Sequence, residues 1–175
     1  MCAFQLHQGE SHPIDRAYWE PQIDELARKG QRLLALAVRT TDIAHESLQF
    51  TDVAEGLTLL GIVGIIDPPR EDAIIAVAQC QSAGIRVKMI TGDHALTAVA
   101  IGQQLGIGQA GAVLTGADID ELSTTQLNEL VTKVDIFARS SPSQKLRLVK
   151  ALQENGLVTA MTGDGVNDAP ALKRA

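Results

Sequence analysis

The hydrophobic pattern of the chain changes near residue 56. Beyond that point, short β-branched runs alternate with stretches whose apolar side chains recur at three and four residues, as at Ile74, Val77 and Ala78. This alternation predicts an α/β fold in which parallel strands are joined by amphipathic helices. The continuous hydrophobicity of the strand-like runs indicates burial on both faces of a sheet. The runs predicted as strands are 57–66, 85–91, 112–114, 135–138 and 158–162.

The first part of the chain has a different pattern. It predicts a helix over 15–29 and a strand over 32–38, followed by a polar connection through Thr40, Asp42, Glu46 and Asp52. A subdomain boundary is predicted along this polar connection, between residues 40 and 56.

Composition narrows the class of protein. The chain is 45% hydrophobic and 21% charged, which is typical of a globular protein. A net charge of -6 without a run of Lys or Arg argues against a nucleic-acid partner, because phosphate backbones are bound by clustered basic side chains. The apolar run 57–66 has only about half of the roughly 20 residues that a membrane-spanning helix needs, so the chain alone is expected to be soluble.

Two further patterns concern the cellular compartment. The first residues lack a basic segment followed by an apolar one, so no signal peptide is predicted. Cys2 and Cys80 are far apart and belong to no CxxC pair, so both are expected to be reduced and structural.

Polar side chains follow the predicted strands. In a parallel sheet the ligand site lies outside the carboxyl ends of the strands, so we expect these residues to converge along one edge. They are Asp67, Thr91, Gly92, Asp93, Arg139, Gly163 and Asp164.

The turn Thr91-Gly92-Asp93 has two interpretations. A glycine allows close approach of the backbone to a phosphate, and a threonine adds a hydroxyl donor, which together favour a phosphate cradle. The alternative is a tight strand-to-helix turn with Asp93 as the N-cap of the next helix.

The loop after the last predicted strand carries Asp164, Asn167 and Asp168. Carboxylate and carboxamide oxygens are the hard ligands that Mg²⁺ prefers, although a structural Asp-Gly turn is the alternative. Lys145 is predicted in the first turn of a helix that begins near Pro142, where it is either solvated or compensated by a nearby anion.

Four strings in this order resemble the motifs of the P-type cation-transporting ATPases, especially the calcium-pump-like branch. They are DPPR at 67–70, MITGD at 89–93, FARSSPSQK at 137–145 and MTGDGVNDAPALK at 161–173. The string QRLLALA at 31–37 resembles the end of that family's nucleotide-binding domain. The resemblance therefore covers nearly the whole chain.

The resemblance implies a haloacid-dehalogenase-like Rossmann fold. It assigns 1–50 to the end of a nucleotide-binding domain with its hinge, and 51–175 to an incomplete phosphorylation domain. By the same resemblance, Lys145, Thr91 and Asp164 would be catalytic, and Asp164 and Asp168 would hold Mg²⁺. Contacts to nucleotide or phosphate would come from Arg32, Asp67, Arg70, Thr91, Gly92, Asp93, Arg139, Lys145 and Asn167.

The implied function is a part of an ATP-driven cation transporter, with Mg²⁺ and ATP as cofactors. The family's phosphorylated aspartate lies in a DKTGT string that the 175 residues do not contain. The chain alone is therefore expected to be inactive, and its partners would be ATP and the remainder of a pump: the nucleophile strand, the actuator domain and the membrane helices. It would be a cytoplasmic segment of a multi-pass membrane protein.

Two alternatives stay open. One is a module that binds Mg²⁺ and phosphate without turnover. The other is a free-standing phosphatase, for which Asp67 is the strand-end candidate, although Pro68 and Pro69 remove backbone donors from its loop.

The resemblance also implies a gap in the sheet. In this fold the nucleophile strand lies between the strands that end at Thr91 and Thr162. Its absence predicts a rearranged sheet, a homo-oligomer formed by strand exchange, or limited stability.

Overall fold

A computed structural model describes residues 2–41, 47–108 and 111–175. The chain divides into two compact units, one of Met1–Ala27 with Gln31–Ile66 and the other of Arg28–Gly30 with Asp67–Ala175. The units therefore separate after Ile66, downstream of the predicted boundary. Of the polar positions on which that boundary rested, Asp42 and Glu46 lie outside the described residues. The assignment of 1–50 and 51–175 to two functional domains stays a prediction.

The first unit is built on a mixed sheet of four strands in the order β2-β1-β4-β3. β1 pairs with β2 antiparallel and with β4 parallel, and β3 pairs with β4 antiparallel from Arg32 opposite Ile65 to Val38 opposite Thr58. Its elements are β1 (Cys2–His7), β2 (Glu10–Pro13), α1 (Arg16–Arg28), β3 (Arg32–Val38), α2 (Phe50–Ala54) and β4 (Leu57–Ile65).

The placement of 57–66 in the parallel sheet was wrong. The strand exists as β4, but it belongs to the mixed sheet of the first unit. Its continuous hydrophobicity does not come from burial on both faces, because Leu59 is buried whereas Leu60 and Val63 are about half exposed. The strand over 32–38 is confirmed with the predicted bounds.

The second unit carries a three-stranded parallel sheet in the order β5-β7-β6, flanked by helices. The α/β class is thereby confirmed. The strands are β5 (Met89–Ile90), β6 (Val113–Thr115) and β7 (Ile136–Ala138). The helices are α3 (Glu71–Ser82), α4 (Ala95–Leu105), α5 (Gly116–Glu121), α6 (Thr124–Val131), α7 (Pro142–Glu154) and α8 (Ala169–Arg174), and a 3₁₀ turn spans Val166–Asp168.

The central strand β7 is buried on both faces, as its sequence predicts. Phe137 packs into one apolar cluster with Ile119, Leu127 and Leu148. Ile136 and Ala138 point the other way and pack into a second cluster with Ala98 and Ile107. The alternation of side chains along β7 thus builds a core on each side of the sheet.

The strand predicted over 158–162 was wrong, and the one over 85–91 is shorter than predicted. The described segment Leu157–Thr162 contains no assigned strand, and Val158 is fully exposed. β5 covers only Met89–Ile90 and lies at an edge of its sheet. An apolar run becomes a strand only when a neighbour satisfies its backbone, and 158–162 pairs with none of the strands β5, β7 and β6.

A charged cluster joins the amino end of β7 to the chain before β5. The guanidinium of Arg86 donates to both carboxylate oxygens of Asp135, at 2.6 and 3.0 Å, and to the carbonyl oxygens of Thr132 and Lys133. The amine of Lys88 donates to Asp135 Oδ1 at 2.8 Å and to the Val134 carbonyl at 2.6 Å. This cluster lies at the opposite end of the strands from the predicted site.

The cysteines and the lengths of the helices were also the subject of expectations. Cys2 and Cys80 are both free thiols. Over the described ranges, none of the helices has the length and hydropathy to span a bilayer.

Candidate functional site

The loops that follow β5 and β7 are joined by their backbones. Thr91 N–H donates to the Phe137 carbonyl at 2.8 Å, and Ser140 N–H returns a bond to the Thr91 carbonyl at 3.0 Å. Arg139 N–H donates to the Asp93 carbonyl at 3.1 Å. Because β5 and β7 are parallel, these contacts hold Thr91, Asp93 and Arg139 at the carboxyl edge of the sheet, as the sequence predicts.

The Thr91 turn is closed by its own side chains. The Thr91 hydroxyl donates to Asp93 Oδ2 at 3.0 Å and accepts from Asp93 N–H at 3.1 Å. Asp93 is not the N-cap of α4, contrary to one of the two interpretations. That position is held by His94, whose Nδ1 accepts from Leu96 N–H at 3.4 Å. Gly92 is exposed at the tip of the turn.

Lys145 and Asp168 form a short ion pair. The amine donates to Asp168 Oδ1 at 2.6 Å, and the side chains are 15% and 12% exposed. The hydrogen bond from Lys145 lowers the pKa of the Asp168 carboxyl against the opposing effect of burial, with a smaller contribution from Gly165 N–H. Lys145 is therefore not a solvated lysine. A cation in the first turn of α7 opposes the helix dipole, and the Asp168 carboxylate supplies the compensating anion.

The two predicted magnesium ligands have different environments. Asp168 accepts one hydrogen bond at each oxygen, at Oδ1 from Lys145 and at Oδ2 from Gly165 N–H at 3.3 Å. Each oxygen keeps a further lone pair. Asp164 and Asn167 are exposed on the same loop. Throughout 2–41, 47–108 and 111–175, no group of three or more His, Cys, Asp or Glu side chains is placed to hold a metal ion. Mg²⁺ usually takes one or two carboxylates together with phosphate and water, and Asp164 fits that limited role.

Steric restraint fixes the loop around Asp168. A Cβ at Gly163 would lie 2.8 Å from Asp168 Oδ2, and one at Gly165 would lie 2.9 Å from the same oxygen. Real Cβ atoms do not approach an oxygen so closely, so a side chain at either position would force the Asp168 carboxylate to shift. The two glycines thereby let the loop wrap around the buried carboxylate.

A cavity of about 200 Å³ lies beside this edge of the sheet. Arg139 contributes to its lining with a backbone φ of 49°, a conformation that is unusual for a residue with a side chain. The next residue, Ser140, is 8% exposed, and its hydroxyl has no hydrogen-bond partner. The lining residues are His94, Ala95, Thr115, Ala117 and Arg139.

Sequence reasoning missed the residues that join α5 to α7. The buried amide of Gln144 donates to the Gly116 carbonyl at 2.9 Å and to Asp120 Oδ2 at 2.7 Å. Arg147 donates to the Ile119 carbonyl at 2.6 Å. The spacing Ser141-x-x-Gln144 is a capping-box signature and could have identified the glutamine as part of the helix start.

Several predicted site residues do not share the sheet edge. Asp67 follows β4, which belongs to the mixed sheet, so the expectation that it ends a strand beside Thr91 was wrong. Asp164 and Gly163 follow a segment that is not a strand. Arg70 is exposed at the start of α3, and Arg32 is the first residue of β3 in the other unit.

Comparison with known proteins relates this arrangement to a family. The sequence pattern of the haloacid dehalogenase-like hydrolases matches residues 3–175. Over 97% of its length the chain is 46% identical to the cation-transporting ATPase pma1 of Synechocystis, of which it covers 19%. It is 48% identical over its full length to the probable cation-transporting ATPase F of Mycobacterium tuberculosis, of which it covers 20%.

The likeness extends to calcium-transporting relatives. The chain is 45% identical over 91% of its length to the calcium-transporting ATPase of Bacillus subtilis, of which it covers 18%. It thus spans about a fifth of the length of the curated relatives that it matches. The chain belongs to the haloacid dehalogenase-like hydrolase family, and its resemblance to the P-type cation-transporting ATPases is confirmed.

Proposed function

We propose that this chain supplies the hinge and phosphorylation-site residues of an ATP-driven cation transporter whose cargo is Ca²⁺. The observation that carries the proposal is the 2.6 Å pair between Lys145 and Asp168, which joins the FARSSPSQK string to the MTGDGVNDAPALK loop. Two strings far apart in sequence thereby meet through their charged residues. Calcium is supported by relatives named calcium-transporting ATPases in Bacillus subtilis and Lactococcus lactis.

In this proposal the chain positions and neutralises a phosphoryl group. The amine of Lys145, already oriented by Asp168, would face the developing negative charge. Gly92 N–H would donate to the phosphoryl oxygens, and so would the Thr91 hydroxyl once it turns away from Asp93 Oδ2. Asp164 would hold Mg²⁺, which lowers the charge repulsion among the phosphates when bound. Phosphoryl transfer depends mainly on such positioning and electrostatic stabilisation.

The remaining residues would form the nucleotide edge. Arg139 and Asp93 are joined by a backbone hydrogen bond at the carboxyl end of the sheet, which supports a shared role there. Asn167 would complete the polar loop beside Asp164. Arg32 would contact the nucleotide phosphates, while Asp67 and Arg70 would shape the hinge and the nucleotide edge.

The covalent step would require an aspartate that these 175 residues do not supply in a DKTGT context. In this proposal the chain works with the remainder of a pump and with ATP, on the cytoplasmic side of a membrane. Alone, it binds Mg²⁺ and phosphate weakly and turns nothing over.

The proposal can be tested by replacement. The segment of the Bacillus subtilis calcium-transporting ATPase that matches this chain is exchanged for it, and ATP-dependent Ca²⁺ uptake is measured in membrane vesicles. Uptake by the chimera, lost when Lys145→Met is introduced, is the expected result. A chimera that is inserted at normal levels and forms no phosphoenzyme would contradict the proposal.

A second measurement uses the isolated chain. Isothermal titration with Mg²⁺ and inorganic phosphate should give weak binding. Binding by the isolated chain without function in the chimera would favour a module that holds Mg²⁺ and phosphate without turnover.

A further inference from the structure

Gln144 is a buried amide in the first turn of α7, one residue before Lys145. It is 7% exposed, and each of its polar atoms has a partner. Oε1 accepts from Ser141 N–H at 2.8 Å, and Nε2 donates to the Gly116 carbonyl at 2.9 Å and to Asp120 Oδ2 at 2.7 Å. The first contact caps α7 locally, whereas the other two reach α5.

Arg147 makes a second connection one turn further along the same face of α7. Its guanidinium donates to the Ile119 carbonyl at 2.6 Å and to the Leu122 carbonyl. These carbonyls lie at the carboxyl end of α5, where helix carbonyls lack partners within the helix. Gln144 and Arg147 therefore fix α7 against both ends of α5.

Gly116 shows how closely the three elements approach at Gln144. A Cβ at this position would lie 2.6 Å from Gln144 Oε1 and would also overlap the Arg139 carbonyl oxygen. Gly116 begins α5 directly after β6, and Arg139 follows β7 directly. The ends of two strands and the start of α7 thus meet around one amide.

We propose that Gln144 is a positioning residue that holds Lys145 in place for phosphoryl binding; the role of Lys145 itself rests on the proposed function. Lys145 follows Gln144 in the same helical turn, and its amine must reach the buried Asp168 carboxylate at 2.6 Å. A displacement of about 1 Å of a group that positions a substrate is enough to lower the rate of the catalysed reaction substantially. The Nε2 contacts to α5 are what prevent such a displacement.

The chain contains a matched control for simple helix capping. Gln126 occupies the same capping-box position in α6, where its Oε1 accepts from Ser123 N–H at 3.0 Å. Gln126 is exposed, and α6 carries no predicted site residue. A change at Gln126 therefore tests the loss of amide donors at a helix start without the contact to α5.

The test is Gln144→Glu in the 175-residue chain. Glutamate keeps an oxygen for Ser141 N–H but loses both donors and faces the Asp120 carboxylate. The rates of amine acylation of Lys145 and Lys88 are measured by mass spectrometry after proteolysis. Lys88 is 11% exposed and lies at the other end of the strands, so it reports global opening.

The expected result is that the ratio of Lys145 to Lys88 acylation rises roughly fivefold or more, as the loss of buried hydrogen bonds predicts. Gln126→Glu should leave the ratio unchanged. The double change Gln144→Glu with Asp120→Asn restores a donor between the two side chains and should return the ratio at least halfway to the original value.

An unchanged ratio in Gln144→Glu, or a rise of both rates in parallel, would overturn the positioning role. The proposed function is tested separately by titrating the unaltered chain with Mg²⁺ and inorganic phosphate. Absence of that binding would contradict the role of Lys145 in phosphoryl binding. The acylation ratio would still show whether Gln144 holds Lys145 in place.

Discussion

The Lys145 amine lies 2.6 Å from Asp168 Oδ1, and both side chains are largely shielded from water. The lysine is in the first turn of α7. The carboxylate belongs to the last residue of the 3₁₀ turn Val166–Asp168, in the loop that contains Gly163 and Gly165, here called the glycine-rich loop. The pair stabilises both groups, because an unpaired charge that is shielded from water raises the free energy of the folded chain.

Replacing Lys145 should weaken phosphate binding. We expect Lys145→Met to lower the affinity of the chain for Mg²⁺ and inorganic phosphate by at least about tenfold, the value of one charge-assisted hydrogen bond. Isothermal titration measures this directly. Lys150→Met, at an exposed position of the same helix, is the control and should leave the affinity within about twofold.

The Asp135 cluster should make stability depend on pH. Burial raises the pKa of the Asp135 carboxyl, but the hydrogen bonds from Arg86 and Lys88 outweigh burial and lower it below its ordinary value. A carboxyl with a lowered pKa stabilises the fold above its ordinary pKa of about 4, and this contribution is lost as the pH falls through the folded pKa.

Asp135→Asn should therefore lower the free energy of unfolding at pH 7 by about 1 to 3 kcal/mol, since Arg86 is partly open to water. Below about pH 4 the difference from the unaltered chain should shrink. Denaturant unfolding at pH 7 and pH 3 measures both values. A constant difference across this range would contradict the assignment, and the exposed Glu129→Gln serves as the control.

Gly116 should not tolerate a side chain. Gly116→Ala places a methyl group against Gln144 Oε1 and the Arg139 carbonyl, so the free energy of unfolding should fall by about 1 to 3 kcal/mol. Gly61→Ala is the matched control, because a Cβ there would meet nothing within 4 Å. Equal effects of the two substitutions in thermal unfolding would show that the β6–α5 junction is not tightly packed.

The isolated chain should form no aspartyl-phosphate. Incubation with radioactive ATP and Mg²⁺, followed by acid precipitation, should leave no label that hydroxylamine removes, because none of its aspartates lies in a DKTGT string. The Bacillus subtilis ATPase that carries this chain in exchange for its own segment is the positive control. Hydroxylamine-sensitive label on the isolated chain would point to another nucleophile, with Asp67 the first residue to substitute.

The sequence predicted where helices and strands lie along the chain better than it predicted which strands pair with each other. The strand Arg32–Val38 and the helix Arg16–Arg28 follow from apolar periodicity and are close to their predicted bounds. The run 57–66 is apolar in either sheet, so its pattern did not show whether β4 pairs with β3 or with a strand after residue 67. The same limit applies to 158–162, whose strand character depends on a neighbour.

The candidate site was predictable in its residue types but not in its pairing. Lys145 and Asp168 are 23 positions apart, and only the packing of α7 against the glycine-rich loop brings them together. Loop composition suggested Asp168 as a magnesium ligand, which stays a prediction, but it did not show that the Asp168 carboxylate pairs with Lys145. Gln144 was overlooked because an amide beside a capping serine ordinarily indicates nothing more than a helix start.

β7 is held at both of its ends. At the amino end Arg86 and Lys88 bind Asp135, and at the carboxyl end Thr91 N–H donates to the Phe137 carbonyl and Ser140 N–H donates to the Thr91 carbonyl. Three residues of strand separate these anchors. A strand so short and held at both ends cannot slip in register. Substitutions around Arg86 are therefore expected to act on the loops after β5 and β7 from a distance, without altering any residue of the proposed site.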